Sequence, residues 1–246
     1  MRRKLIAGNW KMNGSRAQLA ELAEIAAAAR KVPGVDVAVF PPFTLIPLAG
    51  PRAGGIAIGA QDCHQEDQGA FTGSVSAAMA EEAGARMVIV GHSERRQFLH
   101  EDDALVRAKA EAALRRALVT IVCVGESEAE RDAGRHVEVV CAQLAGSLPA
   151  ESGEGELVVA YEPVWAIGTG NTATPSDVAE MHGRIRGWLT DNYGDRGARI
   201  RILYGGSVKA DNAAELFAVE DVDGALVGGA SLTAADFVPI IRAAGG

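Results

Sequence analysis

The sequence is poor in cysteine and in aromatic residues, and it contains no long hydrophobic run. Its three cysteines, Cys63, Cys123 and Cys141, leave one thiol unpaired in any disulfide scheme. Reduced thiols and a cytoplasmic location are therefore expected. The apolar run behind the basic start at Met1 ends by Asn9, which is too short for a signal peptide, and no other run has the length of a membrane span.

The patterns of a metal site are also missing. Five histidines are present without zinc-ligand spacing, and Cys63 and His64 are adjacent rather than separated. We therefore expect no metal.

An excess of negative charge narrows the choice of partners. The formal net charge of −8 argues against nucleic acid or an anionic membrane as the main partner. A site for an anionic ligand must then be made locally, by a lysine or by backbone N–H groups. Hydrophobic residues make up 48% of the chain but aromatic residues only 5%, which is typical of closely layered α/β packing.

Short apolar runs alternate with longer segments of helical periodicity, and no linker interrupts them. The predicted strands are Leu5–Gly8, Val35–Phe40, Ile56–Ala60, Met87–Gly91, Val119–Val124, Leu157–Tyr161, Ile200–Tyr204 and Gly224–Val227. The predicted helices are Ser15–Arg30 with Ser15 as N-cap, Ser76–Ala83, Ala104–Ala117, Val137–Ala145, Ser176–Thr190 and Asn212–Val219. This alternation predicts a parallel sheet covered by helices.

The number of runs favours closure of that sheet into a single (β/α)8 barrel, one domain over residues 1–246. An open dinucleotide-binding sheet would carry a G-x-G-x-x-G turn after its first strand. The first run is followed instead by Asn9-Trp10-Lys11-Met12-Asn13-Gly14.

The segment Tyr161–Gly170 places one carboxylate, Glu162, at the end of a buried strand. Pro163 stops strand pairing, and an apolar stretch with Trp165 leads to Gly168-Thr169-Gly170. A stiff apolar middle with permissive ends is typical of a lid. A carboxylate that loses water beneath such a lid becomes a stronger base toward a carbon acid. An ordinary connection with a buried tryptophan and a surface glutamate fits this segment equally well.

Other strand ends carry a lysine, a histidine and two glycine-rich turns. In a barrel these ends meet on one face, and glycine turns after strands seven and eight favour a phosphate site. Ser93 directly follows His92 as a helix-capping residue, and a helix N-terminus favours a neutral imidazole at His92.

Plainer interpretations of the same residues stay open at this point. The glycines suit tight turns, Lys11 suits a solvated loop, and His92 suits the core. Glu94 is either a surface charge or the partner of Lys11. Cys123 ends a buried strand with no base beside it, so we interpret it as a packing thiol rather than a nucleophile.

Five segments together resemble the signature segments of the triosephosphate isomerase family. They are Gly8–Asn13, Gly91–Arg96, Ala160–Gly170, Tyr204–Val208 and Val227–Leu232. They follow the family's order and roughly its spacing over the whole chain. The resemblance implies the interconversion of dihydroxyacetone phosphate and glyceraldehyde 3-phosphate in glycolysis and gluconeogenesis, without a cofactor.

The resemblance also implies roles for individual residues. Glu162 would remove a proton beside the carbonyl, and neutral His92 would polarise the carbonyl and move protons between the oxygens. This acid–base pairing is the family's own and is carried over by resemblance. Lys11 and Asn9 would stabilise the oxyanion. The phosphate would be held by N–H groups of Gly168, Ser207, Gly228 and Gly229, with Glu94 in a supporting role.

A homodimer is implied as well, in which the loop around Gln68–Gly73 inserts into the neighbour and Thr72 reaches its site. Two departures concern this region. Ser74 stands where many relatives have an acidic residue, and Asp62 stands where many have asparagine. Ser74 still suits a helix cap, whereas Asp62 adds an acidic group near the expected interface.

Two alternatives differ in class. Another barrel enzyme acting on a phosphorylated sugar is one, although an aldolase needs a Schiff-base lysine and Lys11 is the lysine we place at a strand end. A non-catalytic binding protein on the same fold is the other, since fold alone does not set function.

Overall fold

Eight parallel strands close into a barrel in chain order in the computed structural model, which describes residues 2–150, 155–167 and 171–246. The strands are β1 (Lys4–Asn9), β2 (Val35–Phe40), β3 (Ala57–Ala60), β4 (Met87–Val90), β5 (Val119–Val124), β6 (Leu157–Tyr161), β7 (Arg201–Tyr204) and β8 (Gly224–Val227). β1 pairs with both β2 and β8, which completes the closure. The predicted (β/α)8 barrel is confirmed.

Helices surround the barrel between successive strands. They are α1 (Glu21–Ala29), α2 (Ile46–Ala49), α3 (Ala77–Glu82), α4 (Ser93–Leu99), α5 (Asp103–Arg115), α6 (Glu128–Asp132), α7 (His136–Ser147), α8 (Pro175–Tyr193), α9 (Ala213–Ala218) and α10 (Ala234–Ala244). Within the described ranges, no helix has the length and apolarity needed to cross a membrane.

The first helix differs from its prediction. A 3-10 turn at Gln18–Ala20 precedes α1, and Ser15 lies ahead of that turn rather than at the helix N-cap. Its hydroxyl still accepts a hydrogen bond from the Gln18 N–H at 3.3 Å. The serine therefore contacts the start of the 3-10 turn without being its N-cap, and the α-helix begins six residues later than the prediction placed it.

The core consists of two layers. One lies inside the barrel and includes Leu5, Ala7, Val158, Ala160 and Leu226, whose side chains alternate along their strands. The larger layer lies between strands and helices. Continuing the inward alternation by two residues reaches Asn9 on β1, Glu162 after β6 and Gly228 after β8. The strand periodicity itself thus aims these positions into the carboxyl-terminal mouth of the barrel.

Candidate active site

A cavity of about 290 Å³ opens at the carboxyl-terminal mouth of the barrel. Seven of the predicted site residues line it: Asn9, Lys11, His92, Glu162, Ser207, Gly228 and Gly229. They come from the ends of β1, β4, β6, β7 and β8, so the barrel brings together positions that are far apart in sequence. Gly168 lies outside the described residues.

Glu162 is buried at the bottom of this cavity, with 2% of its surface exposed. Its Oε2 accepts the Ser93 backbone N–H at 2.9 Å, and its Oε1 lies 3.3 Å from the Ser93 hydroxyl. The Nε2 atom of His92 is 3.0 Å from Oε1. A buried carboxylate is costly without such partners. Hydrogen-bond donors, rather than a lysine or arginine, therefore hold this charge in place.

Two glycines make room for the Glu162 side chain and backbone. A Cβ added at Gly205 would lie 2.8 Å from Cγ of Glu162, and one at Gly125 would lie 1.8 Å from its carbonyl oxygen. Such distances are below contact for real Cβ atoms, so any larger residue would displace the glutamate. The glycine after β7 therefore serves the carboxylate as well as the chain turn.

His92 is the N-cap of α4, one residue before the predicted cap at Ser93. Its Nδ1 accepts the Glu94 backbone N–H at 3.2 Å. Ser93 uses its own donors on Glu162, which explains the displacement of the cap. Because Nδ1 accepts, a neutral imidazole carries its proton on Nε2, the atom that faces the Glu162 carboxylate.

Lys11 adopts a strained backbone, with a positive φ of 52°. A non-glycine residue in this conformation costs about 1–3 kcal/mol and requires support from its surroundings. The Asn9 side chain accepts the Lys11 N–H at 2.9 Å. The Gln61 side-chain amide donates to the Lys11 and Phe40 carbonyls, both at 2.8 Å. Gln61 thus ties the loop after β1 to the ends of β2 and β3.

The ammonium group of Lys11 pairs with Glu94 at 2.6 Å. This contact decides between the two interpretations of Glu94 in favour of an ion pair. Both partners are partly exposed, with side-chain accessibilities of 28% and 43%. The pair directs the lysine side chain from the loop after β1 toward the start of α4, next to His92.

The opposite side of the cavity is formed by the loops after β7 and β8, which carry Ser207, Gly228 and Gly229. Asn212 fixes the first loop, because its side chain accepts the Lys209 N–H at 2.8 Å and donates to the Ser207 carbonyl at 3.0 Å. Lys209 also lines the cavity. The sequence prediction omitted it, because it considered the lysine nearest a strand end.

The first part of the predicted lid is held against the barrel. Trp165 donates its indole N–H to Oε1 of Glu126 at 2.8 Å, and the guanidinium of Arg131 lies 4.9 Å from the indole ring centre. The same carboxylate oxygen accepts the Tyr161 hydroxyl at 3.0 Å. Glu126 itself is fully buried. Residues 168–170 of the lid lie outside the described residues.

Thr72 is exposed on the loop after β3 and does not line the cavity of its own chain. Cys123 is fully buried, and both burial and the neighbouring Glu162 charge raise the pKa of its thiol. These observations support a packing role for Cys123. In the parts of the chain that the structure describes, no group of three histidine, cysteine, aspartate or glutamate side chains is arranged for a metal ion.

Ser93, Gln61 and Glu126 were not predicted as site residues, although the sequence places each of them at or just after a strand end. Their position at strand ends was therefore the feature of the sequence from which they could have been identified as candidates. It does not show which polar side chain faces the cavity and which faces another loop, because that depends on contacts with segments far away in the chain.

The chain is similar to known proteins over nearly its whole length. A family model described as triosephosphate isomerase matches residues 4–244. The triosephosphate isomerase of Ruegeria sp. (strain TM1040) is 58% identical over 244 residues, covering 99% of this chain and 98% of its own length. That of Rhodopseudomonas palustris (strain BisA53) is 58% identical over 243 residues, covering 97% and 96% of the two chains.

A solved structure gives the same result. The crystal structure of triosephosphate isomerase from Bartonella henselae superposes with a TM-score of 0.89 at 47% identity and covers 98% of both chains. Sequence, family model and fold therefore agree over nearly the full length. The chain belongs to the triosephosphate isomerase family.

Proposed function

We propose that Glu162, His92, Lys11 and Asn9 carry out the reaction of this aldose–ketose isomerase, the interconversion of dihydroxyacetone phosphate and D-glyceraldehyde 3-phosphate. The observation that supports this assignment is the buried Glu162 carboxylate, 3.0 Å from the Nε2 atom of His92, inside the cavity. We assign the whole chain to one catalytic domain acting in the cytoplasm without a cofactor.

The base in this proposal is Glu162. It exchanges its contacts with Ser93 for the substrate and removes a proton from the carbon next to the carbonyl. The electron pair moves into the carbonyl oxygen and gives an enediolate. Glu162 then returns the proton to the adjacent carbon, so the net result is the transfer of hydrogen between neighbouring carbons.

His92 and Lys11 act on the oxygens. The Nε2–H of His92 donates to the carbonyl oxygen, and the imidazole moves protons between the two enediolate oxygens. Lys11 and Asn9 stabilise the negative charge as it develops, since a cation and an amide already fixed in position need no reorganisation during the reaction. The Glu94 pair holds the lysine in position for this role.

The phosphate end lies at the loops after β7 and β8. N–H groups of Ser207, Gly228 and Gly229 hold the phosphate, and Gly168 is assigned to the same task from the resemblance. Backbone donors of this kind provide an anion site in a chain whose net charge is −8.

The lid excludes water from the enediolate, which otherwise loses phosphate and yields methylglyoxal. Deletion of residues 166–169 tests this role. The variant should fold, since it leaves every strand intact, and should release more methylglyoxal per turnover. A lidless variant that isomerises without this by-product would remove the shielding role.

A homodimer completes the proposal. Five large hydrophobic side chains among the described residues are exposed, and they follow β1, β3 and β4: Met12, Phe71, Met79, Phe98 and Leu99. Large exposed apolar side chains are typical of a protein contact. Thr72 follows Phe71 on the loop after β3 and is assigned to the partner's site. Asp62 is mostly buried and pairs within its own chain with Lys109 and Arg95, both at 2.8 Å.

The decisive experiment is a coupled assay with glyceraldehyde 3-phosphate and purified protein. The proposal expects rapid conversion by the wild type without added metal or cofactor. Conversion should be lost in Glu162→Gln, which keeps the shape of the side chain and removes the base. A folded wild type that binds the substrate without converting it would favour a non-catalytic role.

A further inference from the structure

Two tyrosine hydroxyls lie near the candidate site, one beside the start of the lid and one beside the loop after β7. Tyr161 donates to Glu126 at 3.0 Å, and the same oxygen accepts the indole N–H of Trp165, near the start of the lid. The Tyr204 hydroxyl lies beside Gly206, on the loop after β7. The Tyr161 hydroxyl is thus in the chain of contacts that ties the start of the lid to the barrel, and the Tyr204 hydroxyl lies beside the phosphate loop.

His182 of α8 touches both tyrosines from behind. Its ring centre is 5.9 Å from that of Tyr161, with an interplanar angle of 85°, and 6.4 Å from that of Tyr204, at 45°. The histidine is fully buried. A movement of this one ring therefore displaces both tyrosines.

The imidazole is fixed in its plane. Its Nδ1 lies 3.0 Å from the carbonyl oxygen of Asp221. A carbonyl only accepts, so Nδ1 carries the proton and donates. Nε2 has no hydrogen-bond partner within the described ranges. Burial lowers the pKa of His182 to about 4, which keeps the ring neutral.

This combination is unusual for a side chain that only fills the core. A phenylalanine would occupy similar space and would leave no buried polar atom without a partner. What the imidazole adds is the hydrogen bond to Asp221, which sets the orientation of its ring.

The tyrosine positions are coupled directly to the cavity. Tyr161 is bonded to Glu162 along the chain. The Tyr204 hydroxyl fills the space in front of Gly206, where an added Cβ would lie 2.1 Å from the hydroxyl oxygen. Gly206 in turn precedes Ser207, which lines the phosphate end. Small displacements of either ring therefore reach groups assigned to the base and to the phosphate.

We propose that His182 is a positioning residue, which sets the two tyrosines together and thereby places the start of the lid and the phosphate loop relative to the Glu162 carboxylate. The proposal rests on the lid and base assigned under the proposed function. His182 does not line the cavity, so its effect passes through Tyr161 and Tyr204.

Two variants each remove a different contact of His182. His182→Phe keeps a ring between the tyrosines but loses the bond to Asp221. His182→Asn keeps a donor for Asp221 but loses most of the ring. For both we expect a rise in the methylglyoxal share per turnover and a fall in kcat, each roughly tenfold. This is less than the 10²-fold that direct misplacement of a reacting group costs. KM should change less than kcat, because the phosphate donors remain.

A matched control is Leu189→Ala, a buried change two turns further along the same helix. It should lower thermal stability and leave the methylglyoxal share unchanged, since loss of folded protein reduces activity without altering the fate of the enediolate. A substitution that only destabilises the fold should therefore leave the methylglyoxal share unchanged, so a change in this share distinguishes a positioning role of His182 from a merely structural one.

The outcomes separate this proposal from the one on which it rests. If the wild type isomerises cleanly while both His182 variants keep the wild-type share and kcat, the positioning role is wrong and the assigned function stands. If the wild type does not isomerise, the proposed function fails first. If His182→Phe is at least as stable as the wild type and still releases a larger share of methylglyoxal, the imidazole contributes positioning rather than stability.

Discussion

Buried charged side chains have different kinds of partner at the two ends of the barrel. At the amino-terminal end, Arg201 pairs with Asp36 and Glu156, both at 2.8 Å, and Arg3 pairs with Asp36 at 2.6 Å. At the carboxyl-terminal end, Glu162 is nearly fully buried, and within the described ranges only an imidazole, no lysine or arginine, is its ion-pair neighbour.

The difference shows what each end contributes. A charge held between opposite charges is stabilised and chemically inert. A carboxylate held by N–H and O–H donors keeps its charge and is able to exchange those contacts for a substrate. The strained Lys11 backbone is also at the carboxyl-terminal end. The buried carboxylate without a lysine or arginine partner and the strained Lys11 backbone thus lie where the chemistry is assigned, whereas the buried Arg201 at the other end is held by carboxylates.

The largest effect is expected from moving the carboxylate itself. Glu162→Asp withdraws the base by about 1 Å, and such a misplacement costs on the order of 10²-fold in rate. KM should change less than kcat, as measured by steady-state kinetics. The exposed Glu128→Asp is the control and should behave as the wild type. Unchanged turnover in purified Glu162→Asp would remove this residue from the mechanism.

A comparable loss is expected from disrupting the proposed homodimer. Replacing Phe71 and Thr72 by aspartate places charge on the exposed loop after β3 and should yield monomers by light scattering, with activity falling as the dimer fraction falls. The control Ala179→Glu changes an exposed residue on α8, on the opposite side of the barrel. Monomers with full specific activity would show that each site is complete within one chain.

The next largest effect is expected from substitutions of Gln61, which supports the strained backbone of Lys11. Gln61→Glu keeps the size of the side chain but loses the amide donors to the Lys11 and Phe40 carbonyls when ionised. We expect roughly a tenfold loss in kcat/KM for it and for Gln61→Ala, since both leave Lys11 less fixed. The two variants should agree in steady-state kinetics. If only the alanine variant loses activity, side-chain volume rather than hydrogen bonding is what Gln61 supplies.

A substitution at the amino-terminal end should change the free energy of unfolding rather than the catalytic rate. Arg201→Ala removes the ion pair of Glu156 and leaves Asp36 with Arg3 alone, although both carboxylates are 40% or more exposed. We expect a loss of about 1–2 kcal/mol in the free energy of unfolding, below the value for fully buried pairs. Thermal melts and kinetics of the folded variant measure the two properties separately. A large fall in kcat in a fully folded Arg201→Ala variant would contradict this difference between the two ends. Exposed Arg52→Ala is the control.

The smallest effect concerns Lys209, a cation at the cavity whose side chain has no ion-pair partner among the described residues. Lys209→Gln should lower kcat/KM a few-fold at low salt and by less at high salt, because it removes attraction for a phosphorylated substrate. The control Lys31→Gln removes an exposed charge elsewhere. An identical salt dependence in both variants would leave Lys209 without a role in capture.

Strand positions were predictable, because burial on both faces produces continuous apolar runs. Val35–Phe40 and Leu157–Tyr161 were predicted with their observed bounds. No prediction was made for α10, whose interior Pro239 is typical of a helix break. In the site, the strand-end residues were predictable as a group. The placement of the cap on His92 was not, since it depends on Ser93 giving its donors to Glu162, 69 residues away in the chain.

The central claim is that the buried Glu162 removes and returns a proton at carbon. The most direct measurement is the conversion of dihydroxyacetone phosphate in deuterium oxide, with the product analysed by NMR. The account predicts deuterium at carbon 2 of glyceraldehyde 3-phosphate with the wild type and almost none with folded Glu162→Gln. Wild-type incorporation by Glu162→Gln would contradict it, because another group would then be the base.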